Sequence, residues 1–136
     1  MASRYRMLLV LALIGTAWSA TAEAADLLSC RSASRVECRA GLCERQELHE
    51  SLTVDFTRKE IRYCVGEGCY GTRVAMVGAE DGGVSFAFDA KSEQGRNGGR
   101  TDGLVTIHPG RKAATIGNFL ADGMVASSRM DCGERP

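Results

Sequence analysis

The chain has few of the residues on which nucleic-acid-binding surfaces and many active sites depend. It contains two histidines, His49 and His108, and one tryptophan, Trp18, and aromatic residues make up 6% of it. Basic and acidic residues number 17 each, and no block of like charge stands out. Binding to a nucleic acid or an anionic membrane calls for a basic patch, and binding to single strands calls for aromatic faces. The composition therefore predicts no nucleic-acid partner.

The sequence also lacks the motifs of common hydrolases. Neither G-x-S-x-G nor H-E-x-x-H occurs in it, although these patterns mark serine and zinc enzymes. Each histidine lies beside an expected strand edge or turn, where a lone imidazole is usually a solvated surface group. Asp55 and Asp89 sit at strand ends among polar neighbours, which do not raise a carboxyl pKa for acid catalysis. We predict no catalytic, cofactor-binding or metal-binding residue, and a protein that is not an enzyme.

The first 24 residues have the layout of a secretory signal peptide. Arg4 and Arg6 precede an apolar run of 12 residues (7–18), and small residues follow as far as Ala24. This run is shorter than the roughly 20 residues that cross a bilayer, and no later stretch is long enough. We therefore predict cleavage of residues 1–24, export to the periplasm or the cell exterior, no transmembrane segment, and a single domain over 25–136.

All six cysteines follow this segment: Cys30, Cys38, Cys43, Cys64, Cys69 and Cys132. An even number in an exported chain of this size indicates a disulfide framework. Two C-x4-C motifs, ECRAGLCE (37–44) and YCVGEGCYG (63–71), each enclose a turn-like tetrapeptide. A hairpin closing there would bring its two cysteines side by side, within disulfide range. The first-ranked pairing is therefore 38–43, 64–69 and 30–132, and the second joins the two motifs to each other.

Three other uses of the cysteines are weighed against disulfides. The two motifs together could supply four thiolates to zinc, but an exported chain and two further cysteines favour disulfides. A thioredoxin-type site needs C-x-x-C at a helix N-terminus, whereas four residues intervene here. A lipoprotein would carry its lipid on Cys30 after LLSC (27–30), which would leave an odd number of thiols. Disulfides therefore remain the favoured use.

Alternation of apolar and polar residues with period two predicts the fold. It occurs, bounded by turn residues, at 51–56, 60–65, 72–77, 83–90, 103–109, 111–117 and 123–132. The sequence predicts an all-β domain, a small antiparallel meander or barrel of about seven or eight short strands stapled by disulfides. A barrel is preferred because closure removes exposed edges. Residues 91–103 are polar and glycine-rich, which predicts a flexible loop.

These features together predict a kind of function but no ligand. The layout resembles that of exported bacterial inhibitors of lysozyme, which are small eight-stranded barrels with a disulfide between early and late cysteines. Their Ser-Gly-x-x-Tyr loop has no counterpart here. We predict an exported, non-enzymatic binding or inhibitory module whose partner is a protein of the envelope or exterior. The alternatives are a structural or envelope-associated protein without a small ligand, and an enzyme without a recognisable motif.

Overall fold

The computed structural model describes residues 26–95 and 99–134, so the predicted signal peptide lies outside the described residues. This part of the chain forms nine strands and one short 3-10 helix. They are β1 (Leu27–Arg39), β2 (Leu42–Asp55), β3 (Glu60–Val65), β4 (Gly68–Arg73), β5 (Val77–Gly78), β6 (Val84–Lys91), β7 (Arg100–Ile107), the 3-10 helix (Pro109–Arg111), β8 (Ala113–Phe119) and β9 (Val125–Glu134). None of the helices in these residues has the length and apolar character needed to cross a membrane.

The nine strands form one antiparallel sheet in the order β4-β3-β2-β1-β9-β8-β7-β6-β5. Strands that are consecutive in the chain are neighbours in the sheet, with one exception: β4 and β5 do not pair and lie at its two edges. In the middle of the sheet β1 pairs with β9. The sheet is therefore a meander whose first and last strands meet in its middle. The predicted all-β antiparallel fold is confirmed, with nine strands in the described residues rather than seven or eight.

The sheet curls into a half-barrel, and its two edges approach each other at one place. Tyr70 of β4 forms an isolated bridge with Ser92, just after β6. The Glu93 backbone N–H donates to the carbonyl of Cys69 over 2.8 Å. These contacts cover the β4 edge at Cys69 and Tyr70, and a covered edge is protected there from edge-to-edge pairing.

The inner face of the curl carries the apolar core. Along β2 and β3, alternate residues such as Leu52, Val54 and Ile61 are buried, as the period-two pattern predicts. The buried core consists of Leu28, Cys30, Leu52, Val54, Ile61, Tyr63, Val74, Phe86, Phe88, Ala90, Val105, Ile107, Ala114, Ile116 and Met130. Alternation therefore identified the inward face of most strands correctly.

The strand boundaries differ from the sequence-based ones in three regions. The predicted strand at 72–77 is interrupted, because β4 ends at Arg73 and β5 comprises only Val77–Gly78. β1 and β2 form one long hairpin of 13 and 14 residues, of which the alternation predicted only 51–56. The predicted loop at 91–103 is shorter, because β6 includes Lys91 and β7 begins at Arg100. Apart from Leu28 and Cys30 of β1, which are in the core, the added strand residues are mostly polar, and cross-strand pairing forms there without an alternating apolar face to mark it. Residues 96–98 lie outside the described part, and the flexibility of the loop stays a prediction.

Three disulfides connect opposite residues of neighbouring strands: Cys30–Cys132, Cys38–Cys43 and Cys64–Cys69. These are the three pairs ranked first from the sequence. In each, the two cysteines are register partners, joining β1 to β9, β1 to β2 and β3 to β4. The described residues contain no free cysteine. This use of sulfur indicates an oxidising compartment.

Four hairpin connections lie at one end of the half-barrel, called here the hairpin end: 40–41, 66–67, the described residues 92–95 and 99 between β6 and β7, and 120–124. Arg39 and Asp122 form an ion pair of 2.6 Å between two of these turns. Gln94 Nε2 donates to the Glu67 carbonyl over 2.6 Å between the other two. Both C-x4-C disulfides brace strands at this end. The connections at 56–59, 74–83 and 108–112 lie at the opposite end, as does the start of β1.

Candidate functional site at the hairpin end

A buried carboxylate lies inside the half-barrel toward the hairpin end. Glu50 continues the inward alternation of Leu52 and Val54 along β2, and it is 3% exposed. The Tyr63 hydroxyl donates to Glu50 Oε1 over 2.5 Å. The Ser128 hydroxyl donates to the other oxygen, Oε2. A buried carboxylate without hydrogen-bond partners is very costly in free energy. The two hydroxyl donors offset this cost for Glu50.

Arg35 reaches the same cluster because β1 and β2 change register. The shift between Ser32 and Ser34 reverses the facing of the residues that follow. Arg35 then points inward, with Nη1 3.8 Å from Glu50 Oε1. Its Nε also donates to Glu37 Oε1 over 2.6 Å. The Arg35 side chain is 15% exposed, so it closes the polar cluster on the side that faces the hairpin end.

The environment of Tyr63 keeps its hydroxyl protonated. Burial raises the pKa of Tyr63 far above the ordinary value, the hydrogen bond to Glu50 and the negative charge of Glu50 raise it further, and Arg35 acts in the opposite direction. Burial disfavours phenolate because the charged form loses its hydration. Tyr63 therefore acts as a permanent hydrogen-bond donor to Glu50 across the neutral pH range.

This pKa shift predicts that the protein loses stability in alkaline solution. Below pH 10.0, the ordinary tyrosine pKa, the phenol is neutral whether the chain is folded or unfolded. Above that pH the unfolded chain releases the proton and the folded chain keeps it. The free energy of unfolding should then fall with a slope of about 1.4 kcal/mol per pH unit for this group. Urea unfolding at several pH values between 9 and 11.5 measures the slope.

The matched control is Tyr63→Phe, which removes the titrating hydroxyl. Its unfolding free energy should be lower near neutral pH, because Glu50 loses a donor. Its decline above the ordinary tyrosine pKa should be shallower than that of the natural protein. Equal slopes in both proteins would contradict the assigned role of the Tyr63 hydroxyl.

A cavity of about 390 Å³ opens at the hairpin end beside this cluster. Arg35, Tyr63 and Val65 line its inner part. Its rim consists of Asp89, Arg100, Thr101, Asp102, Asn118, Phe119, Leu120 and Ala121. Barrel mouths are common positions for ligand sites, and this volume lies within their usual range. The cavity combines two guanidinium groups, those of Arg35 and Arg100, with further polar and apolar rim groups.

The rim of the cavity is held by specific contacts. Asn118 is 7% exposed, and its Nδ2 donates to the Asp102 carbonyl over 2.6 Å. Arg100 Nη2 lies 2.6 Å from Asp89 Oδ2 across the β6–β7 hairpin. In contrast, Phe119 and Leu120 are 60% and 43% exposed. The polar part of the rim is therefore fixed, while its apolar part faces solvent.

A second depression, of about 460 Å³, lies on the outer face of β2, β3 and β4. Its charged residues already have partners. Arg62 Nη2 lies 2.9 Å from Glu93, and Arg73 Nε lies 3.7 Å from Glu60. A ligand there would have to displace these ion pairs, so the cavity at the hairpin end is the better candidate site.

The structure places the sequence-predicted cysteines around the fold rather than in one centre. All six sulfur atoms are in disulfides, which leaves no thiolate for zinc and no sulfur on Cys30 for a lipid. His49 is exposed on β2. His108 is partly buried, and its Nε2 lies 2.9 Å from Thr115 Oγ1. Within the described residues, no cluster of three His, Cys, Asp or Glu side chains could hold a metal ion.

Sequence reasoning missed the polar cluster of Glu50, Tyr63, Ser128 and Arg35. One signal was present, because Glu50 stands two residues before Leu52 in an alternating strand and should face inward with it. Arg35 carried no such signal, since its direction depends on the register shift. Ser128 comes from β9, and only the packed sheet brings it to Glu50.

Comparison with known proteins gives this chain no relative. No protein-family model, no curated protein and no solved structure matches it. The function must therefore be inferred from the residues and geometry of the chain.

Proposed function

We propose that this protein is an exported, non-enzymatic binding module that holds a protein partner at its hairpin end. The partner would place a protruding side chain in the cavity beside Arg35 and pack against the apolar rim. One observation carries the proposal, namely the concentration of exposed apolar side chains at the hairpin end, two of which, Phe119 and Leu120, line this cavity.

The described residues contain six large apolar side chains that are exposed, and four lie at the hairpin end: Leu42, Phe119, Leu120 and Val125. Phe119 and Val125 are register partners, and Val125 is in turn opposite Cys38. With the Cys38–Cys43 disulfide they form a continuous outward row across four strands. Exposed apolar groups gathered beside a cavity mark interaction sites, and aromatic residues are enriched at protein interfaces.

Two disulfides support binding by bracing hairpins at the end of the half-barrel where the cavity opens. Cys38–Cys43 and Cys64–Cys69 each close a ring around a hairpin turn at this end. Such short rings contribute less to overall stability than a long ring does. They do hold the hairpins in one conformation, and a pre-formed site loses less conformational entropy on binding. Their position at the hairpin end supports a recognition role.

The polar groups of the cavity provide orientation rather than chemistry. Glu50 is enclosed by two hydroxyl donors and Arg35, so its oxygens are occupied. Arg35 faces the cavity, and Thr101 and Asn118 lie on the rim. Fixed polar groups beside an apolar stretch of the rim, Phe119 to Ala121, are suited to orienting a bound group. This arrangement favours a binding module over an enzyme.

The proposal predicts that polar substitutions in the apolar rim abolish partner binding without affecting folding. The bait is the chain 25–136 with its disulfides formed, checked by intact mass, and the sample is an envelope extract. In a second arm a lysozyme is the defined probe, and loss of lytic activity is the readout. Phe119→Ser combined with Leu120→Ser should weaken a captured interaction at least about tenfold, as expected for interface anchors.

The matched control is Val77→Ser, which alters a side chain that is 68% exposed away from the hairpin end. It should bind as the natural chain does. Retention that is equal in the double variant and the control would contradict the assigned surface. Full lysis would reject lysozyme as the partner, and the absence of any retained protein would reject the proposed function.

A further inference from the structure

A second site arises where β1 and β9 separate. The two strands pair as far as Arg31 with Asp131, and pairing resumes at Val36 with Ser127. Between these pairs lie four residues of β1 (32–35) and three of β9 (128–130), so the ladder is interrupted there. The interruption forms a cavity of about 310 Å³. It shares Arg35 with the cavity at the hairpin end but includes no residue of the apolar rim, and the inference drawn from it does not depend on the proposed function.

The lining of this cavity is basic and rich in hydroxyl groups. Arginines from three strands contribute to it, together with serine and threonine side chains: Arg35, Arg45, Arg129, Ser34, Thr115 and Ser127. No aspartate or glutamate lines it, although the chain as a whole has as many acidic as basic residues. The basic character of this cavity therefore results from which strands lie side by side, and not from the overall composition of the chain.

Two of these arginines carry positive charge without an acidic partner. Arg35 already contacts Glu37 and Glu50. Arg45 and Arg129 are exposed, and neither makes an ion pair with any residue of the described ranges 26–95 and 99–134. The neighbouring carboxylates of Glu47, opposite Ser34, and Asp131, two residues beyond Arg129, do not line the cavity.

The donors approach the cavity from several strands. Val36 of β1 is the register partner of Arg45 of β2 on one side and of Ser127 of β9 on the other. Arg129 is the register partner of Thr115 on β8. The Thr115 hydroxyl also contacts His108 Nε2 at 2.9 Å, although His108 itself does not line the cavity. Donors arranged around a space in this way suit an anion with oxygens in several directions.

We propose that this cleft binds a tetrahedral oxyanion, namely a phosphate or sulfate group. Guanidinium groups form paired, charge-assisted hydrogen bonds with such oxygens, and hydroxyls can donate to the remaining ones. A carboxylate has only two oxygens in one plane and would use fewer of these donors. The group could be a free ion or part of a larger molecule such as a phospholipid, since both present the same oxygens.

The test measures binding of inorganic phosphate and of sulfate to the disulfide-bonded chain 25–136. Amide chemical shifts are followed at constant ionic strength, with sodium chloride replacing the anion in a reference series. Saturable shifts are expected around residues 34–36, 45 and 127–129. Arg45→Gln combined with Arg129→Gln should weaken binding about tenfold or more, because two charge-assisted contacts are lost. Arg58→Gln, whose side chain is 73% exposed in the β2–β3 turn, should leave binding unchanged.

Circular dichroism of each variant checks that the strands are retained. A parallel arm uses vesicles that contain phosphatidylglycerol, and vesicle binding that the double variant loses would assign the phosphate to a lipid. Saturation by inorganic phosphate alone would assign it to a soluble oxyanion. The proposal is overturned if chloride gives the same shifts, if the double variant binds as the natural chain does, or if neither probe binds.

Discussion

Replacing Cys30 and Cys132 together by alanine is expected to lower the free energy of unfolding by about 4–5 kcal/mol. The disulfide closes a ring with a sequence separation of 102 residues. In the chain-entropy account, a cross-link of this length removes more freedom from the unfolded chain than a short one does. Cys30 is also fully buried in the core. Urea or thermal unfolding of the oxidised protein measures the loss.

The comparison variant replaces Cys64 and Cys69 by alanine. This disulfide has a sequence separation of 5 and lies at the hairpin end. Its removal should cost only about 2 kcal/mol in the same account. Equal losses in the two double variants would show that ring length does not determine the stabilisation here. Loss of binding in the Cys64 variant with little loss of stability would fit the bracing role of the short ring.

Replacing Glu50 by alanine is expected to destabilise the fold by about 3–5 kcal/mol. The substitution leaves the buried hydroxyls of Tyr63 and Ser128 without their acceptor. It also removes one carboxylate from the neighbourhood of Arg35. Breaking a buried charged network by removing one member costs much more than the network contributes as a whole. Equilibrium unfolding in urea near neutral pH measures the effect.

Two further variants separate this explanation from simple loss of volume. Glu50→Gln keeps the size and an acceptor oxygen, so it should lose only about 1–2 kcal/mol. The triple variant Glu50→Leu, Tyr63→Phe and Ser128→Ala removes all three polar partners together. It should recover most of the stability lost in Glu50→Ala. If the triple variant were the least stable of the set, the network would contribute far more than paired hydrogen bonds explain.

Under the proposed function, the exposed rim can vary separately from the contacts that stabilise the sheet. The Cys30–Cys132 disulfide joins β1 to β9 near the end where β1 begins, and the apolar core extends from there along the interior. The polar cluster at Glu50 lies inside the half-barrel, next to the cavity at the hairpin end. Beyond it lie the cavity, the short disulfide rings and the exposed apolar side chains. Substitutions on the rim can therefore change binding without removing the contacts that hold the sheet together.

Much of the fold followed from local patterns in the sequence. Alternation in segments such as 51–56 and 83–90 depends only on neighbouring residues, so it located strands and their inward faces. The polar stretch of the β1–β2 hairpin had no such alternation and was missed as a pair of long strands. Glu50 was accessible to the same reasoning, but its burial depended on donors from β3 and β9.

By itself the sequence determined the all-β class, the antiparallel meander and the first-ranked disulfide pairs, because alternation and turn residues act over a few neighbours. Cleavage of the signal peptide stays a prediction from the sequence. Only the tertiary structure decided that Arg35 turns inward, that Glu50 is enclosed, and that Arg45 and Arg129 line one cavity. These features depend on register shifts and on strands far apart in the chain, and a one-residue shift exchanges the inner and outer faces of a strand.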